Sequence, residues 1–327
     1  MIDRRRFVSA LGGALIVAMR TGSAQAQAIK PHRIGFLGTT SAAEFATRVD
    51  AFRTGLRDAG YVEGKNAVIE FRWADGHVDR LPQLAAELVA LKVDVLVAHA
   101  EGAFAAKRAT TTIPIVMAFS ADAVATGLAT SLARPGANVT GSTVLIPEIS
   151  AKRLELLKTA APRVSQVAVL VRKGGTWKTV LEMLQDKGKS LNLTVQFFEI
   201  IRDKTELEST FSEMAKARIN ALAVSEDPIL AGYSEAIVEL AAKYRWPTTG
   251  YRGLAEAGGL IGYGVDGLKI YRRAAVFVDK ILKGAKPADL PIEQPTQFDL
   301  VLNLRTANAL GLVIPQSLLS RADQVIR

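Results

Sequence analysis

Short apolar runs alternate along this chain with segments whose apolar residues recur every three or four positions. The runs predict buried strands and the periodic segments predict amphipathic helices, an alternation typical of open parallel sheets. In the first half this predicts strands at 33–37, 68–73, 93–98 and 113–117 and helices at 45–59, 81–91 and 101–108. The order restarts after residue 165, with predicted strands at 166–171, 194–199, 221–224 and 247–250 and predicted helices at 176–190, 207–217 and 229–244. The pattern predicts an α/β protein with two similar doubly wound parallel-sheet lobes, the alternative being one large doubly wound sheet.

Three turn-rich stretches, at 134–141, 258–264 and 287–295, interrupt this alternation. A two-lobed binding protein needs such connections where the chain crosses between lobes, and glycines there can absorb the dihedral changes of hinge closure. The same stretches can also be ordinary surface loops. We therefore expect a hinge and this division of the chain: a signal peptide at 1–28, an N-terminal lobe at 29–141 plus 262–294, and a C-terminal lobe at 142–261 plus 295–327.

The first 28 residues have the three parts of an export signal. Arg4, Arg5 and Arg6 form a basic start, residues 7–19 are apolar or small apart from Ser9, and 24–26 read Ala-Gln-Ala. The apolar run is shorter than the ~20 residues of a membrane span, which favours a cleaved signal over an anchor or a buried N-terminal helix. Location in the periplasm is expected. The Arg-Arg-x-Phe pattern suits twin-arginine export, and general secretion remains an open alternative.

Composition narrows the class of protein. The chain has 327 residues, 49% of them hydrophobic, and no cysteine, which excludes disulfides, thiolate nucleophiles and cysteine-bound metals. Removing the signal, with its four arginines and one aspartate, lowers the formal charge from +9 to +6. The remaining lysines and arginines are dispersed among acids, without the basic stripe of a nucleic-acid binder. No nucleic-acid partner, metal or cofactor is expected.

Several motifs carry a resemblance to a known family, in an order and spacing that cover essentially the whole mature chain. They lie at 33–38, 52–66, 80–89, 132–141, 152–157, 277–287 and 307–315. The chain resembles the substrate-binding proteins of bacterial ABC importers, in the group related to tryptophan/tyrosine-type receptors. The resemblance implies a class I periplasmic-binding-protein fold, a small-molecule ligand between two lobes, and delivery to a permease with its ATPase. It leaves the ligand open, because the family is diverse in what it binds. We expect a monomer.

The first predicted lobe offers polar residues where its strands end. Ligands of open parallel sheets sit beyond the carboxyl ends of strands, where loops and helix N-termini converge. The candidates after the first, third and fourth strands are Thr39, Thr40, Ser41, His99, Glu101, Ser120 and Asp122. Ser41 can equally be a helix N-cap, and His99 a solvated loop residue.

The second predicted lobe contributes Lys173, Glu226, Asp227 and Tyr251. Glu226 and Asp227 can also be acids that complement a helix dipole. The resemblance adds one expectation. Relatives often carry Asn-Pro-type residues at 173–175 and small residues at 99–101, where this chain differs, so we expect a ligand other than an amino acid.

The sequence also bears on other classes of protein: an enzyme, a sensor and a transcription regulator. The chain lacks a nucleophile elbow, a His-Glu-x-x-His motif, a Walker loop and a dinucleotide-binding glycine motif after the first strand, which argues against an enzyme. A carboxylate pair such as Glu101 and Asp122 could still perform acid–base chemistry. A sensor that presents its closed form to a membrane receptor shares every feature above. The export signal and the lack of an N-terminal helix-turn-helix exclude a LacI-type regulator.

Overall fold

The protein was analysed as a computed structural model that describes residues 30–173, 178–200 and 204–327. The predicted signal peptide lies outside these residues. The strands are β1 His32–Gly38, β2 Ala67–Trp73, β3 Val95–His99, β4 Ile115–Ser120, β5 Val139–Thr143, β6 Gln166–Arg172, β7 Thr194–Ile200, β8 Ala221–Val224, β9 Thr248–Gly250, β10 Ile261–Gly264, β11 Asp299–Asn303 and β12 Gln324–Ile326. The α-helices are α1 Ala42–Asp58, α2 Leu81–Ala90, α3 Glu101–Ala109, α4 Ile146–Ala160, α5 Lys178–Ser190, α6 Lys204–Lys216, α7 Pro228–Gly232, α8 Ser234–Lys243, α9 Arg252–Glu256, α10 Gly267–Leu282, α11 Leu304–Leu310 and α12 Gln316–Leu319.

The first sheet has five parallel strands in the order β2-β1-β3-β4-β5. Its strands are apolar on both faces because helices cover both. α1 and α10 pack on one face around Phe36 and Phe52, and α2 and α3 cover the other around Leu88 and Leu96. α1 and α10 approach so closely that a Cβ on Gly55 would lie 2.5 Å from the Arg272 carbonyl oxygen.

The second sheet has seven strands in the order β12-β11-β10-β9-β8-β6-β7. Its strands are parallel except for the pair β10–β11, which is antiparallel. Helices α6 to α9 pack on one face around Phe211 and Leu254, while α4 and α5 pack on the other around Leu154 and Leu184. The two lobes predicted from the sequence pattern are confirmed, and the alternative prediction of one large doubly wound sheet is wrong.

Two of the sequence-based lobe boundaries need correction. The boundary after residue 141 cuts through β5, whose Thr143 still pairs with Ser120 in the first sheet. The boundary after residue 261 cuts through β10, which pairs with β9 and β11 in the second sheet. Gly262 lies in one of the three stretches expected to contain hinges. A Cβ at this position would lie 2.9 Å from the Arg252 Cα, so the close packing of α9 on β10 accounts for the glycine.

The chain therefore crosses between the lobes after β5, after β10, and before β11. The first and third crossings run side by side, joined by a bridge between Ser142 and Glu293. A small apolar cluster from both lobes surrounds the crossings and includes Phe119, Ile149 and Val265.

One predicted helix differs from the structure. The pattern predicts a single helix at 229–244, whereas α7 ends at Gly232 and α8 begins at Ser234. The apolar residues of α7 and α8 follow one continuous helical periodicity, so the sequence pattern does not reveal that the helix is interrupted between them. Within the described residues, no helix combines the length and apolar character that crossing a bilayer requires.

Candidate functional site

Three hydroxyl side chains at the carboxyl edge of the first sheet are buried. Thr39 and Thr40 directly follow β1, and Ser120 ends β4; they are 4%, 1% and 0% exposed. None of their side-chain oxygens makes a hydrogen bond within the part of the chain that the structure describes. A buried polar group without a partner costs about 1–3 kcal/mol, so such groups need a stated reason. Binding a polar ligand at this edge is such a reason.

Two other candidates of the first lobe are occupied in local structure. Ser41 is the N-cap of α1, where it forms a capping box with Glu44: each side chain accepts a hydrogen bond from the other's backbone N–H. Asp122 accepts hydrogen bonds from the backbone N–H groups of Val124 and Ala125, at 2.9 and 3.0 Å. Both residues therefore shape the loops of the edge.

His99 is buried at the end of β3, with 5% of its surface exposed, so it is not a solvated loop residue. Its ring stacks on Phe119 and Tyr271, and its Nδ1 lies 2.5 Å from the Tyr271 hydroxyl. Burial, with a smaller contribution from the charge of Arg48, lowers the pKa of His99 to about 3. The ring is therefore neutral. No other acceptor is seen for the Tyr271 hydroxyl, so we assign its proton to the bond with Nδ1, which places the imidazole N–H on Nε2.

The turn from β3 into α3 is strained. Ala100 has φ 44° and ψ −120°, a conformation that residues other than glycine rarely adopt. The turn directs Glu101, the first residue of α3, towards the second lobe.

Glu101 forms an ion pair with Arg172 across the two lobes. Arg172 ends β6, and its Nε also donates to the Asp227 carboxylate at 2.7 Å. The other oxygen of Asp227 caps α7 by accepting from the Ile229 N–H at 2.8 Å. The interpretation of Asp227 as a helix-start acid is thus confirmed. One guanidinium connects a carboxylate from each lobe.

A second arginine of this lobe, Arg153 on α4, was not identified from the sequence. Its side chain is 3% exposed, donates to the Tyr263 carbonyl at 2.7 Å and pairs with Glu226 at 3.0 Å. Ser225, which directly follows β8, lines the same small cavity as Arg153, and its buried hydroxyl has no partner among the described residues. The helical spacing around Arg153 resembles that of any surface arginine, so no local signal marks it.

The remaining two candidates of the second lobe, Tyr251 and Lys173, differ in burial. The Tyr251 hydroxyl lies 2.7 Å from Ser234 and 3.2 Å from the Leu230 carbonyl, inside the lobe. Burial raises the pKa of Tyr251, so the phenol stays protonated. Lys173 is exposed, and its neighbours Gly174 and Gly175 lie outside the described residues.

Arg48 is a second residue that sequence reasoning missed. It lies on α1, with its guanidinium 5.4 Å from the centre of the Phe45 ring. The Phe45 ring in turn lies 5.4 Å from the ring of His99, whose pKa the charge of Arg48 helps to lower. Glu44, one turn earlier on α1, approaches Gly232 of the second lobe, so this end of the helix borders the cleft. Within the described chain the only hydrogen bond of Arg48 goes to the Glu44 carbonyl at 3.1 Å, and no carboxylate pairs with it.

The arrangement suits binding by hydrogen bonds and charge. Among the described residues there is no cluster of three or more His, Asp or Glu that could hold a metal ion. A surface cavity of about 390 Å³ lies elsewhere, between α8 and α11. It opens at the amino end of β9, opposite the edge where parallel sheets bind ligands, so it is not the candidate site.

Two lobes of parallel sheet, with polar residues of both meeting at the carboxyl edges, define a class I periplasmic-binding-protein fold. The chain belongs to the family of ABC transporter substrate binding proteins, which matches residues 36–326. This family consists of substrate-binding proteins rather than enzymes.

Individual relatives agree with the family. A tyrosine-binding protein of Clostridioides difficile (strain R20291) is 26% identical over 328 residues, covering 95% of this chain and 94% of that protein. The structure of an ABC domain from Streptococcus pneumonia in complex with L-Trp is 28% identical with a TM-score of 0.82, covering 91% of this chain and 100% of that one. The ligand-free, open structure of a substrate-binding protein with adhesive properties from Clostridium difficile is 25% identical with a TM-score of 0.65, covering 90% and 99%.

Proposed function

We propose that this protein captures a small molecule between its two lobes and delivers it to the permease and ATPase of an ABC importer. The observation that carries the proposal is the ion pair between Glu101 and Arg172, which joins the lobes beside buried hydroxyls that lack partners. A ligand enclosed there would lose water and take up those donors, while the ion pair holds the lobes together.

The similarity scores support a closed arrangement of the lobes. At nearly equal sequence identity, the TM-score is 0.82 against the L-Trp complex and 0.65 against the ligand-free, open structure. Gly232 of the second lobe also approaches the Glu44 carboxylate of the first. A ligand that binds better to the closed form would shift the population towards it.

Within the cleft we assign two kinds of role. Contact with ligand falls to the groups that have unused hydrogen-bonding capacity, namely Thr39, Thr40, His99, Ser120, Ser225 and Arg48. Holding the lobes and loops in place falls to Ser41, Glu101, Asp122, Glu226, Asp227 and Tyr251. Lys173, at the edge of the cleft, stays a candidate contact.

We further propose export to the periplasm and a monomeric state, as the export signal and the family suggest. Delivery to an importer requires both lobes to be accessible to a membrane permease from outside the cytoplasm.

Native mass spectrometry of protein purified without refolding tests the proposal. We expect a bound small molecule that is released on denaturation, and small-angle scattering that shows a smaller radius of gyration when this molecule is added back to refolded protein. If no small molecule is retained and none changes the scattering profile, the proposed function is wrong.

A further inference from the structure

The carboxylates in the candidate cleft are already neutralised by arginines. Glu101 and Asp227 share Arg172, and Glu226 pairs with Arg153 at 3.0 Å. Asp227 is 7% exposed and also caps α7, so both of its oxygens are in use. A ligand ammonium would have to compete with a guanidinium at each of these carboxylates.

Three further acidic groups at the edge of the first lobe are also engaged. Asp75, which follows β2, pairs with Arg80 at 3.2 Å, and the other two, Glu44 and Asp122, hold loops in shape. Glu44 accepts from the backbone N–H and the hydroxyl of Ser41, at 3.0 and 2.9 Å. Asp122 accepts two backbone N–H groups of its own turn. Withdrawing any of these carboxylates towards a ligand would break these local contacts.

Several hydrogen-bond donors of the cleft, in contrast, have no partner within the described chain. Arg48 has no carboxylate partner in the described chain. It lies over the Phe45 ring, which contacts His99, and one turn after Glu44, which approaches the second lobe. The hydroxyls of Thr39, Thr40 and Ser120 in the first lobe and of Ser225 in the second are buried without partners among the described residues. The Nε2 of His99, to which we assigned the N–H, has no hydrogen-bond partner there either.

An unpaired cation without an unpaired carboxylate beside it selects the charge of a ligand. Charge-assisted hydrogen bonds from Arg48 to an anion are short and strong, and the hydroxyls can donate to the same anion. An enclosed ammonium would meet hydroxyl oxygens and the charge of Arg48 but no unpaired carboxylate among the described cleft residues, so its desolvation would be poorly compensated. Building on the proposed function, we infer that the ligand of this cleft is a carboxylate that carries no ammonium group, with Arg48 and the unpartnered hydroxyls as its donors.

Two pairs of compounds test the inference, because the members of each pair differ only in the α-ammonium group. They are 3-(4-hydroxyphenyl)propanoate with L-tyrosine, and 3-(indol-3-yl)propanoate with L-tryptophan. Calorimetric titration of refolded, ligand-free protein should give at least tenfold tighter binding for the propanoate of at least one pair. If neither propanoate binds more tightly than its amino acid, the inference is overturned.

A variant pair identifies the donor. Arg48→Gln should weaken binding of the propanoate at least tenfold, with little effect on the melting temperature. Arg57→Gln is the matched control, because Arg57 lies on the exposed side of the same helix and donates to Thr54. Equal affinities for the two variants would overturn the role of Arg48.

The outcome also separates this inference from the proposed function. Lobe closure by an amino acid, without binding of either acid, would retain the binding protein and reject the class of ligand. Absence of closure and of retained ligand with any small molecule would reject the binding protein itself.

Discussion

Glu101 and Arg172 form an ion pair that connects the two lobes, and Arg172 at the same time bonds Asp227 within its own lobe at 2.7 Å. The side chain of Glu101 is 36% exposed, whereas those of Arg172 and Asp227 are 10% and 7% exposed. The partly exposed contact between lobes can open at low cost, while the buried contact within the lobe persists in the open form.

The contact between the lobes, Glu101–Arg172, and the contact within the second lobe, Arg172–Asp227, should respond differently to mutation. Glu101→Gln should shift the lobes towards the open form and weaken ligand binding, with a change in unfolding free energy within about 0.5 kcal/mol. Arg172→Met leaves Asp227 buried and unpaired, and should lower the unfolding free energy by about 3–5 kcal/mol. Small-angle scattering and chemical denaturation measure the two effects. Equal destabilisation by both substitutions would contradict this assignment.

Removing the unpartnered hydroxyls should separate stability from binding. Thr40→Val and Ser120→Ala each remove a buried oxygen that makes no hydrogen bond, so ligand-free protein should gain about 1 kcal/mol per site. Binding should weaken about tenfold or more for the pair, because the ligand loses two donors.

Thr143→Val is the matched control for those substitutions. The Thr143 hydroxyl is also buried, but it accepts from the Ala123 N–H and donates to the Ala121 carbonyl, at 3.0 and 2.7 Å. The control should therefore lose about 1–3 kcal/mol of stability. Thermal melts and calorimetric titration check the three single variants and the Thr40→Val, Ser120→Ala double variant. Unchanged affinity in the double variant would remove this edge from the site.

The buried imidazole of His99 should make stability dependent on pH. Its pKa is about 3 in the folded protein against 6.5 for an ordinary histidine, so the unfolded chain binds more protons below pH 6.5. Unfolding free energy should fall by about 2 kcal/mol from pH 7 to pH 5 through this residue, and the loss should continue to about pH 3.

His99→Gln should remove that part of the pH dependence. His77→Gln, which changes an exposed histidine, should leave it in place. Urea titrations at several pH values provide the measurement. An unchanged slope in His99→Gln would show that the ring is not kept neutral by the fold.

The strained turn before Glu101 predicts an unusual effect of glycine. Ala100 has a positive φ of 44°, which glycine adopts without steric cost, so Ala100→Gly should raise the unfolding free energy by about 1 kcal/mol. Ala98→Gly, in the buried strand β3 just before it, should instead be destabilising by a similar amount. Denaturant melts of both variants test the assignment, and destabilisation by both would refute it.

The export route is tested by the arginines of the predicted signal. Replacing Arg4 and Arg5 together with lysine should leave unprocessed precursor in the cytoplasm if export uses the twin-arginine route. Immunoblots of cell fractions distinguish precursor from processed protein. Normal processing would indicate general secretion.

The secondary structure was largely determined by local sequence. The apolar runs at 221–224 and 166–171 correspond to β8 and β6 within one residue, because a strand covered on both faces needs a continuous apolar run. The edge that bears the site also follows from the alternation of strands and helices, because parallel strands all end on the same side. On this basis the sequence could place Thr39, Thr40 and Ser120 at one edge.

What the tertiary structure decided is how charges pair and where the lobes divide. Arg172 meets Glu101 across 71 positions, and Arg153 meets Glu226 across 73, so neither pair leaves a local pattern. Arg48 resembles any helical surface arginine until the fold brings its end of α1 to Gly232 of the second lobe, and His99 becomes a core residue only because α10 returns to stack Tyr271 on it. Periodicity encodes which face of an element is buried, whereas the partners of a polar group depend on chain segments that only the complete fold brings together.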